Sequence, residues 1–194
     1  MRVVGTVGLP GSGKGELAAV AREEGLSVVT MGDVIRQACR DRGRDPSTDH
    51  GTVAKALREE HGPAAIAERS LPLVRDAVEE TDTDTVLVDG LRSMVEVDAF
   101  RDAFGDEFRI VSIEAPFDLR AERLAERGRD GSDSDLEQLR ARDQRELDFG
   151  MGEVMDAADY RIDNTDSLDA FRTTARELLV ESTSEPPADA ESTQ

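Results

Sequence analysis

Short apolar segments alternate along the chain with longer segments in which apolar residues recur every three or four positions. Five of the short segments are rich in β-branched residues and predict strands: residues 3–7, 28–30, 85–88, 110–113 and 160–162. The longer segments predict helices with one buried face. Strands that alternate with helices are typical of a parallel sheet with helices on both faces. The pattern therefore predicts an α/β fold with a five-stranded, mostly parallel sheet.

Two of the predicted connections are longer than simple crossovers need. Residues 32–80 follow the second strand and residues 118–147 follow the fourth, and both contain helical periodicity. In the first connection, the polar residues 44–52 predict a turn before a short helix at 53–60, and Pro72 predicts a kink or a division of the next helix. We expect the two connections to form small helical insertions above the sheet.

A single domain accounts for most of the chain. The length of 194 residues suits one domain, and the alternating pattern extends over residues 1–181. Within it, Ser93 and Ser134 begin capping boxes that predict two helix starts. Residues 182–194 consist mainly of Ser, Thr, Pro, Glu, Ala and Asp, and we predict a disordered acidic tail there.

The charge of the chain is strongly negative and unusual in its make-up. The formal net charge is −19, and the 24 basic residues include only two lysines, Lys14 and Lys55. An acidic, lysine-poor surface indicates a halophilic protein, because concentrated salt screens the self-repulsion of the carboxylates. The alternative is an ordinary acidic protein from a GC-rich genome. The negative field also argues against nucleic acids and anionic membranes as partners.

Other features of the sequence argue against export and against a Cys₄ zinc site. No segment reaches the roughly 18 apolar residues of a membrane span, and the N-terminus has no signal-peptide core, so we predict a cytoplasmic protein. Cys39 is the only cysteine, which excludes an internal disulfide and a Cys₄ zinc site. His50 and His61 lack metal-ligand spacing, and we expect both on the surface.

The strongest chemical signal is a glycine-rich segment between the first strand and the first helix. Its sequence is Gly8-Leu9-Pro10-Gly11-Ser12-Gly13-Lys14-Gly15. Glycines allow backbone N–H groups to approach phosphate oxygens, and the helix N-terminus adds a partial positive charge. Lys14 can bridge the β- and γ-phosphates of a nucleotide. The segment therefore predicts a phosphate-binding loop.

A magnesium ion needs a protein ligand from outside this loop. The Ser or Thr that usually follows the lysine is replaced by Gly15, and Glu16 comes next. Asp89 ends the third strand, at the edge of the sheet beside the loop, and we predict that it holds Mg²⁺. A turn or helix cap is the alternative role of Asp89, and Glu16 also suits the dipole of the first helix.

The loop resembles that of the P-loop nucleoside monophosphate kinases. Gly-x-Pro-Gly-x-Gly-Lys-Gly is the adenylate kinase form of the loop, and Glu16 stands where that family has Thr. The resemblance covers roughly residues 1–180 and implies a P-loop kinase fold that binds ATP and Mg²⁺. It also makes Lys14 a catalytic residue.

Two further motifs carry the same resemblance and imply an acceptor site. The segment Thr30-Met31-Gly32-Asp33-Val34-Ile35-Arg36 is similar to the family's Thr-x-Gly-Asp-x-x-Arg. The segment Asp89-Gly90-Leu91-Arg92 is similar to Asp-Gly-Phe-Pro-Arg with one residue missing. The implied acceptor-binding residues are Thr30, Asp33, Arg36 and Arg92. Both arginines would hold the acceptor's phosphate, and an arginine past the sheet edge can bind a phosphate bidentately.

A cluster of arginines follows the fourth strand. Arg120, Arg123 and Arg127 share one helix face, and Arg142 lies on the next helix. Phosphoryl transfer spreads negative charge over three oxygens, and kinases supply arginines to it from a mobile lid. We predict Arg123, Arg127 and Arg142 as catalytic residues of a short lid. Pairing with surface carboxylates is the alternative role.

The C-terminal part resembles a different branch of the superfamily. Ala158-Asp159-Tyr160-Arg161-Ile162-Asp163-Asn164 is similar to the end of dephospho-coenzyme A kinases, which implies that Asn164 lies near adenine. The Asp-x-Asp that those kinases have after the second strand is absent. The chain also looks like an archaeal group of kinase-like proteins with the loop form Gly-x-Pro-Gly-Ser-Gly-Lys. These resemblances imply the fold, whereas the acceptor stays open.

Two functions fit these residues. The first is a kinase that transfers the γ-phosphoryl group of ATP to a small nucleotide-like acceptor, a nucleoside monophosphate or dephospho-coenzyme A, as a monomer or small homo-oligomer. The second is an ATP-binding regulator or ATPase without a metabolite acceptor. A GTP-binding protein is disfavoured because the sequence has no Asn-Lys-x-Asp. Arg36 and Arg92 favour the kinase, because a binding-only protein needs no second phosphate site.

The acidic composition generates a prediction about salt. We expect the melting temperature to rise with KCl toward molar concentrations, where the Debye length is about 3 Å and carboxylate repulsion is screened. Thermal melts at low and molar KCl measure this. A melting temperature that is equal or higher at low salt would contradict the halophilic interpretation.

Overall fold

The computed structural model describes residues 1–80, 84–127 and 135–181; the predicted tail at 182–194 lies outside them, as do the side chains of Glu80, Arg127 and Glu181. The strands are β1 (Arg2–Val7), β2 (Ser27–Thr30), β3 (Thr85–Asp89), β4 (Phe108–Glu114) and β5 (Tyr160–Asp163). The helices are α1 (Lys14–Glu23), α2 (Met31–Asp41), α3 (Pro46–His61), α4 (Ala65–Glu80), α5 (Met94–Phe104), α6 (Phe117–Arg127), α7 (Leu136–Asp148), α8 (Met151–Asp156) and α9 (Leu168–Arg176). A 3₁₀ turn (Gly105–Glu107) follows α5, and a π turn (Glu177–Glu181) follows α9.

The five strands form one sheet in the order β2-β3-β1-β4-β5. All four pairings are parallel, which confirms the predicted sheet. Parallel strands bring their carboxyl ends to the same edge, and β1 lies in the centre. The register places Thr6 of β1 opposite Asp89 of β3, and Val7 opposite Ser112 of β4. The glycine-rich loop that follows β1 is therefore flanked by the ends of β3 and β4.

Helices cover both faces of the sheet. On one face, α1 and α9 bury a cluster that includes Leu17 and Phe171. On the other face, α2, α3, α4, α5 and α8 enclose a larger cluster, in which the Phe100 and Phe108 rings stack with centroids 5.4 Å apart. Burial on both faces explains why the three inner strands, β1, β3 and β4, are mostly apolar. No helix among the described residues is long and apolar enough to cross a membrane.

The helix α3 begins earlier than the sequence predicts. It starts at Pro46 instead of residue 53. The Asp45 carboxylate accepts a hydrogen bond from the Ser47 amide at 2.8 Å, and Pro46 occupies the first helical position, where it costs no hydrogen bond. None of residues 46–52 is buried, so these two turns lack the apolar periodicity that predicts a helix.

The helix α4 is continuous across Pro72, so the predicted division into two helices is wrong. Ile66, Ser70 and Val74 are all buried, on both sides of the proline in the sequence. Their packing against the core outweighs the loss of one backbone hydrogen bond.

Helix α5 begins where its capping box predicts, whereas α7 begins one residue later than the capping box at Ser134 predicts. Ser93 is the N-cap of α5 and makes no side-chain cap bond, whereas Oε2 of Glu96 accepts from the Arg92 amide at 2.9 Å. Asp135 caps α7 through its own carboxylate. Ser134, the predicted cap, lies outside the described residues.

A buried ion pair joins α6 to α7 above the sheet. Nη2 of Arg120 lies 2.6 Å from Oδ2 of Asp143, and the two side chains are 4% and 11% exposed. Arg120 also donates to the carbonyl oxygens of Pro10 at 2.9 Å and Ala115 at 3.1 Å. This arginine therefore connects the glycine-rich loop with both helices.

The Arg120–Asp143 pair generates a prediction about stability. Asp143→Ala leaves a buried guanidinium without its counter-charge, which should lower the free energy of unfolding by about 3–5 kcal/mol. Asp148→Ala removes an exposed carboxylate from the same helix and should change it by less than about 0.5 kcal/mol. Urea denaturation in molar KCl compares the two variants. Equal losses of unfolding free energy in the two variants would show that the buried pair contributes no more to stability than an exposed carboxylate does.

Candidate functional site

The loop between β1 and α1 packs more tightly than side chains would allow. Gly11 and Gly13 have φ angles of 80° and 120°, in the region that favours glycine. A Cβ atom at Gly11 would lie 2.8 Å from the carbonyl oxygen of Arg120, and one at Gly8 would lie 2.5 Å from that of Ile113. The glycines therefore allow the close backbone approach that a phosphate-binding loop requires.

Asn164 supports this loop from the end of β5. Its Nδ2 donates to the carbonyl oxygen of Ser12 at 2.7 Å, and its Oδ1 accepts from Nη2 of Arg123 at 3.3 Å. Asn164 is buried. Within the described part of the chain, Oγ of Ser12 and Nη1 of Arg123 are buried without a hydrogen-bond partner. Asn164 and Arg123 thus lie against the loop, while their contacts with a nucleotide remain predictions.

Lys14 opens α1 and reaches back over the loop. Its Nζ donates to the carbonyl oxygens of Gly8 and, at 3.3 Å, of Leu9. Burial lowers the pKa of Lys14 to about 8; the Asp89 carboxylate opposes this effect and the Arg92 guanidinium adds to it. The ammonium group therefore shares its surroundings with Asp89, the predicted magnesium ligand, and with Arg92, a predicted acceptor-binding residue.

Asp89 is held at the end of β3 by its neighbour on β1. Oγ1 of Thr6 donates to Oδ1 of Asp89 at 2.9 Å. In the described ranges, no group of three or more His, Cys, Asp or Glu side chains could hold a metal ion. A Mg²⁺ ion would therefore take Asp89 as a protein ligand and complete its shell with phosphate oxygens and water. This donor set suits Mg²⁺, which commonly binds through one or two carboxylates and keeps its waters.

A cavity of about 520 Å³ opens beside Lys14 and brings together most of the predicted acceptor residues. Its wall includes Thr30, Arg36, Asp89, Arg92 and Arg142. These residues come from four separate parts of the chain: the end of β2, α2, the end of β3 with its following loop, and α7. The structure thus brings together in one cavity the predicted magnesium ligand, three predicted acceptor-binding residues and one predicted lid arginine.

Carboxylates pair with both of the predicted acceptor-binding arginines in this cavity. Nη2 of Arg36 lies 2.6 Å from Oδ1 of Asp33, so Asp33 contributes through Arg36 and does not line the cavity itself. Nη1 of Arg92 lies 3.1 Å from Oε1 of Glu146 on α7. An anion that binds either arginine has to compete with, or displace, a carboxylate.

Helix α3 also contributes to this cavity, which was not predicted from the sequence. Ser47, His50 and Arg58 all line it, whereas His50 was expected on the surface. Nη2 of Arg58 lies 3.1 Å from Oε1 of Glu96, which is 1% exposed. The Arg58 guanidinium lies 4.6 Å from the Phe149 ring centroid. Positions 47, 50 and 58 share a helix face, so a helix predicted from residue 46 would have revealed them.

The predicted lid arginines do not all lie together. Arg142 lines the cavity from α7, whereas Arg123 lies against Asn164 on the other side of the loop. The Arg127 side chain lies outside the described residues.

Glu16 is engaged by α9. Arg172 forms ion pairs with Glu16 and Glu23, and Arg176 pairs with Glu23 and Glu24. This network connects α1 to α9 and gives Glu16 a partner on the protein. It explains how a carboxylate is tolerated two positions after the lysine of a phosphate-binding loop.

A second cavity of about 530 Å³ lies at the ends of β4 and β5. Leu9 and Ser12 of the loop line it together with Ile113, Pro116 and Thr165. Its wall also carries two arginines and two carboxylates, Arg120, Arg161, Glu114 and Asp163, so cations do not outnumber carboxylates there as they do in the first cavity.

The parallel sheet, the loop after its central strand and the helical insertions define a P-loop kinase-like protein. Two solved structures share the fold. TT1252 from Thermus thermophilus matches with a TM-score of 0.65 at 18% identity, over 93% of this chain and 97% of that one. Shikimate kinase from Acinetobacter baumannii matches with a TM-score of 0.52 at 17% identity, over 94% and 93%.

Sequence comparison supplies the family. The model of the AAA domain family matches residues 7–140. A UPF0200 protein of Halobacterium salinarum is 58% identical over 183 residues, which are 94% of this chain and 95% of that one. The chain therefore belongs to the AAA domain family. It also belongs to the archaeal UPF0200 proteins. The predicted P-loop kinase-like fold is confirmed.

Lys14 generates a prediction about nucleotide affinity. Lys14→Ala should weaken ATP binding about ten- to a hundredfold, because it removes a charge-assisted contact, and should leave the circular dichroism spectrum unchanged. In the unsubstituted protein, ATP affinity should fall as pH rises above 8, because the free lysine loses its proton there while bound phosphates favour the charged form.

The matched control is Lys55→Ala, which removes the other lysine of the chain from an exposed position beside Glu59. Isothermal titration with ATP at pH 7 to 9.5 should give the control the same affinities as the parent protein. Equal ATP affinity in Lys14→Ala and Lys55→Ala would overturn the assignment of the loop.

Proposed function

We propose that the protein is a cytoplasmic, ATP-dependent kinase that transfers a phosphoryl group to a small, nucleotide-like acceptor carrying a phosphate. The observation that carries this proposal is the cationic cavity beside the loop. Lys14, Arg36, Arg58, Arg92 and Arg142 line it, against two lining carboxylates. In a chain of net charge −19, such a concentration of cations indicates a site for an anion.

The arrangement suits transfer between two bound phosphates. The glycine-rich loop would hold the donor phosphates, and Lys14 lies where the loop meets the cavity. Lys14, Asp89 and Arg92 line the same cavity, which supports a donor end and an acceptor end that are adjacent. Phosphoryl transfer depends mainly on such positioning and on neutralising charge. Arg142 would add positive charge from α7.

Magnesium would neutralise donor phosphate oxygens when bound, with Asp89 as its protein ligand. Thr6 orients the Asp89 carboxylate toward this task through the hydrogen bond on Oδ1. An acceptor that offers a phosphate oxygen, as a nucleoside monophosphate does, needs no general base. An acceptor hydroxyl, as in dephospho-coenzyme A, would need one.

The activity test uses the purified protein in high salt with labelled ATP and a panel of AMP, CMP, UMP and dephospho-coenzyme A. Transfer of label to one member identifies the acceptor. Hydrolysis of ATP without transfer to any member would favour the alternative, an ATPase or ATP-binding regulator.

Arg92 separates these two functions. Arg92→Ala should raise the apparent KM of the acceptor about ten- to a hundredfold, because one charge-assisted, bidentate contact is worth about 1.5–3 kcal/mol. ATP affinity should change little, since backbone amides and Lys14 hold the donor. Arg92→Lys keeps the charge without the planar fork and should give an intermediate KM.

The control is Arg101→Ala, an exposed arginine of α5 outside the cavity. Steady-state kinetics and ATP titrations are measured for all three variants in the same buffer. An equal loss of ATP affinity and acceptor use in Arg92→Ala would make Arg92 a donor-site or structural residue. No effect on either would remove the main support for a second phosphate site.

A further inference from the structure

His50 lies in the wall of the cationic cavity, although its spacing in the sequence predicted a surface position. It lies on α3, is half-buried, and lines the cavity together with Gly32 at the start of α2. Gly32 itself lies under Arg36, since a Cβ atom there would be 3.3 Å from Nη1 of Arg36. The imidazole is therefore next to an arginine that the proposed function assigns to the acceptor's phosphate.

Three guanidinium groups act on this imidazole. Burial is the main cause that lowers the pKa of His50, and Arg92, Arg36 and Arg58 lower it further; the hydrogen bond to Gly32 opposes them. The free protein therefore holds His50 in its neutral form at neutral pH. The remaining charged groups of the cavity wall and the carboxylates paired with its arginines are Lys14, Asp89, Glu96, Arg142, Asp33 and Glu146.

We propose that His50 belongs to the acceptor site and binds the acceptor's phosphate in its protonated form, beside Arg36 and Arg92. His50 shares the cavity wall with both arginines, so its side chain borders the space that a bound dianion would occupy. This inference rests on the proposed function only for the placement of a phosphate dianion in the cavity. The ligand class is a phosphate monoester or an equivalent tetrahedral dianion.

A bound dianion reverses the electrostatics of the imidazole. In the free protein, three arginines oppose its protonation; a dianion between them offsets their field and can accept a hydrogen bond from the imidazolium. Binding therefore takes up a proton at pH values between the free and bound pKa of His50. Affinity for the dianion rises as pH falls through that interval and becomes constant below it.

Proton NMR of the two histidines tests this directly, because the chain contains only His50 and His61. The ring signals are titrated against pH without ligand and with sulfate at constant ionic strength, sulfate being added until the spectra stop changing. Sulfate stays a dianion throughout this range, so its own titration does not interfere. His50→Gln assigns the signals, and the exposed His61 serves as the internal reference.

The expected result is an upward shift of the His50 midpoint by about one pH unit, equivalent to a tenfold preference of sulfate for the protonated form. The His61 midpoint should be the same with and without sulfate. In His50→Gln, sulfate affinity measured calorimetrically should lose its rise toward low pH. An unchanged His50 midpoint, or equal shifts of both histidines, overturns the proposal.

These readouts require no phosphoryl transfer. If the His50 midpoint shifts but the protein phosphorylates no acceptor, the anion site is supported and the kinase is rejected. Acceptor phosphorylation that depends on Arg92, without a shift of the His50 midpoint, would support the kinase and reject the proposed role of His50.

Discussion

The parallel pairing of β1 with β3 is the interaction on which the rest of the site depends. It places Thr6 opposite Asp89 and allows Oγ1 of Thr6 to hold the carboxylate at 2.9 Å. The pairing continues past the strand, where the Leu91 amide donates to the carbonyl oxygen of Thr6 at 3.0 Å. One register therefore sets the position of the loop after β1, the carboxylate at the end of β3 and, one residue after Leu91, Arg92.

The parts of the site that could be predicted from the sequence are those that lie next to a strand end. The loop, Asp89 and Arg92 follow apolar strands directly, so the alternating pattern places them at one edge of the sheet. Ser47, His50 and Arg58 could not be found in this way. They lie on an insertion whose position over the edge is set by tertiary packing of α2 on α3 and of α3 on α4. The polar start of α3 also hid its first two turns, which precede the predicted start at residue 53.

Arg120 shows a different limit of prediction from sequence: its position on a helix face could be predicted, but its structural role could not. The spacing of arginines on α6 indicates a shared face, but spacing does not distinguish a ligand-binding arginine from a buried structural one. The distinction depends on Asp143, 23 residues later in the sequence, and on the Pro10 carbonyl, 110 residues earlier. Both contacts form only after the two insertion helices pack over the loop, so no local pattern could reveal them.

The arginines of the cavity are not free charges, and this decides how an anion binds there. Arg36 pairs with Asp33, Arg58 with the buried Glu96 and Arg92 with Glu146. Binding therefore exchanges one ionic partner for another, and the net gain is smaller than the number of cations suggests. The Arg58–Glu96 pair is the most buried of the three, so its exchange would leave a carboxylate without solvent. Arg36 and Arg92 are about two-fifths exposed and can change partners at lower cost. Exposure thus divides these three arginines into one that is buried in an ion pair and two that can change partners, which favours Arg36 and Arg92 over Arg58 for the proposed anion site.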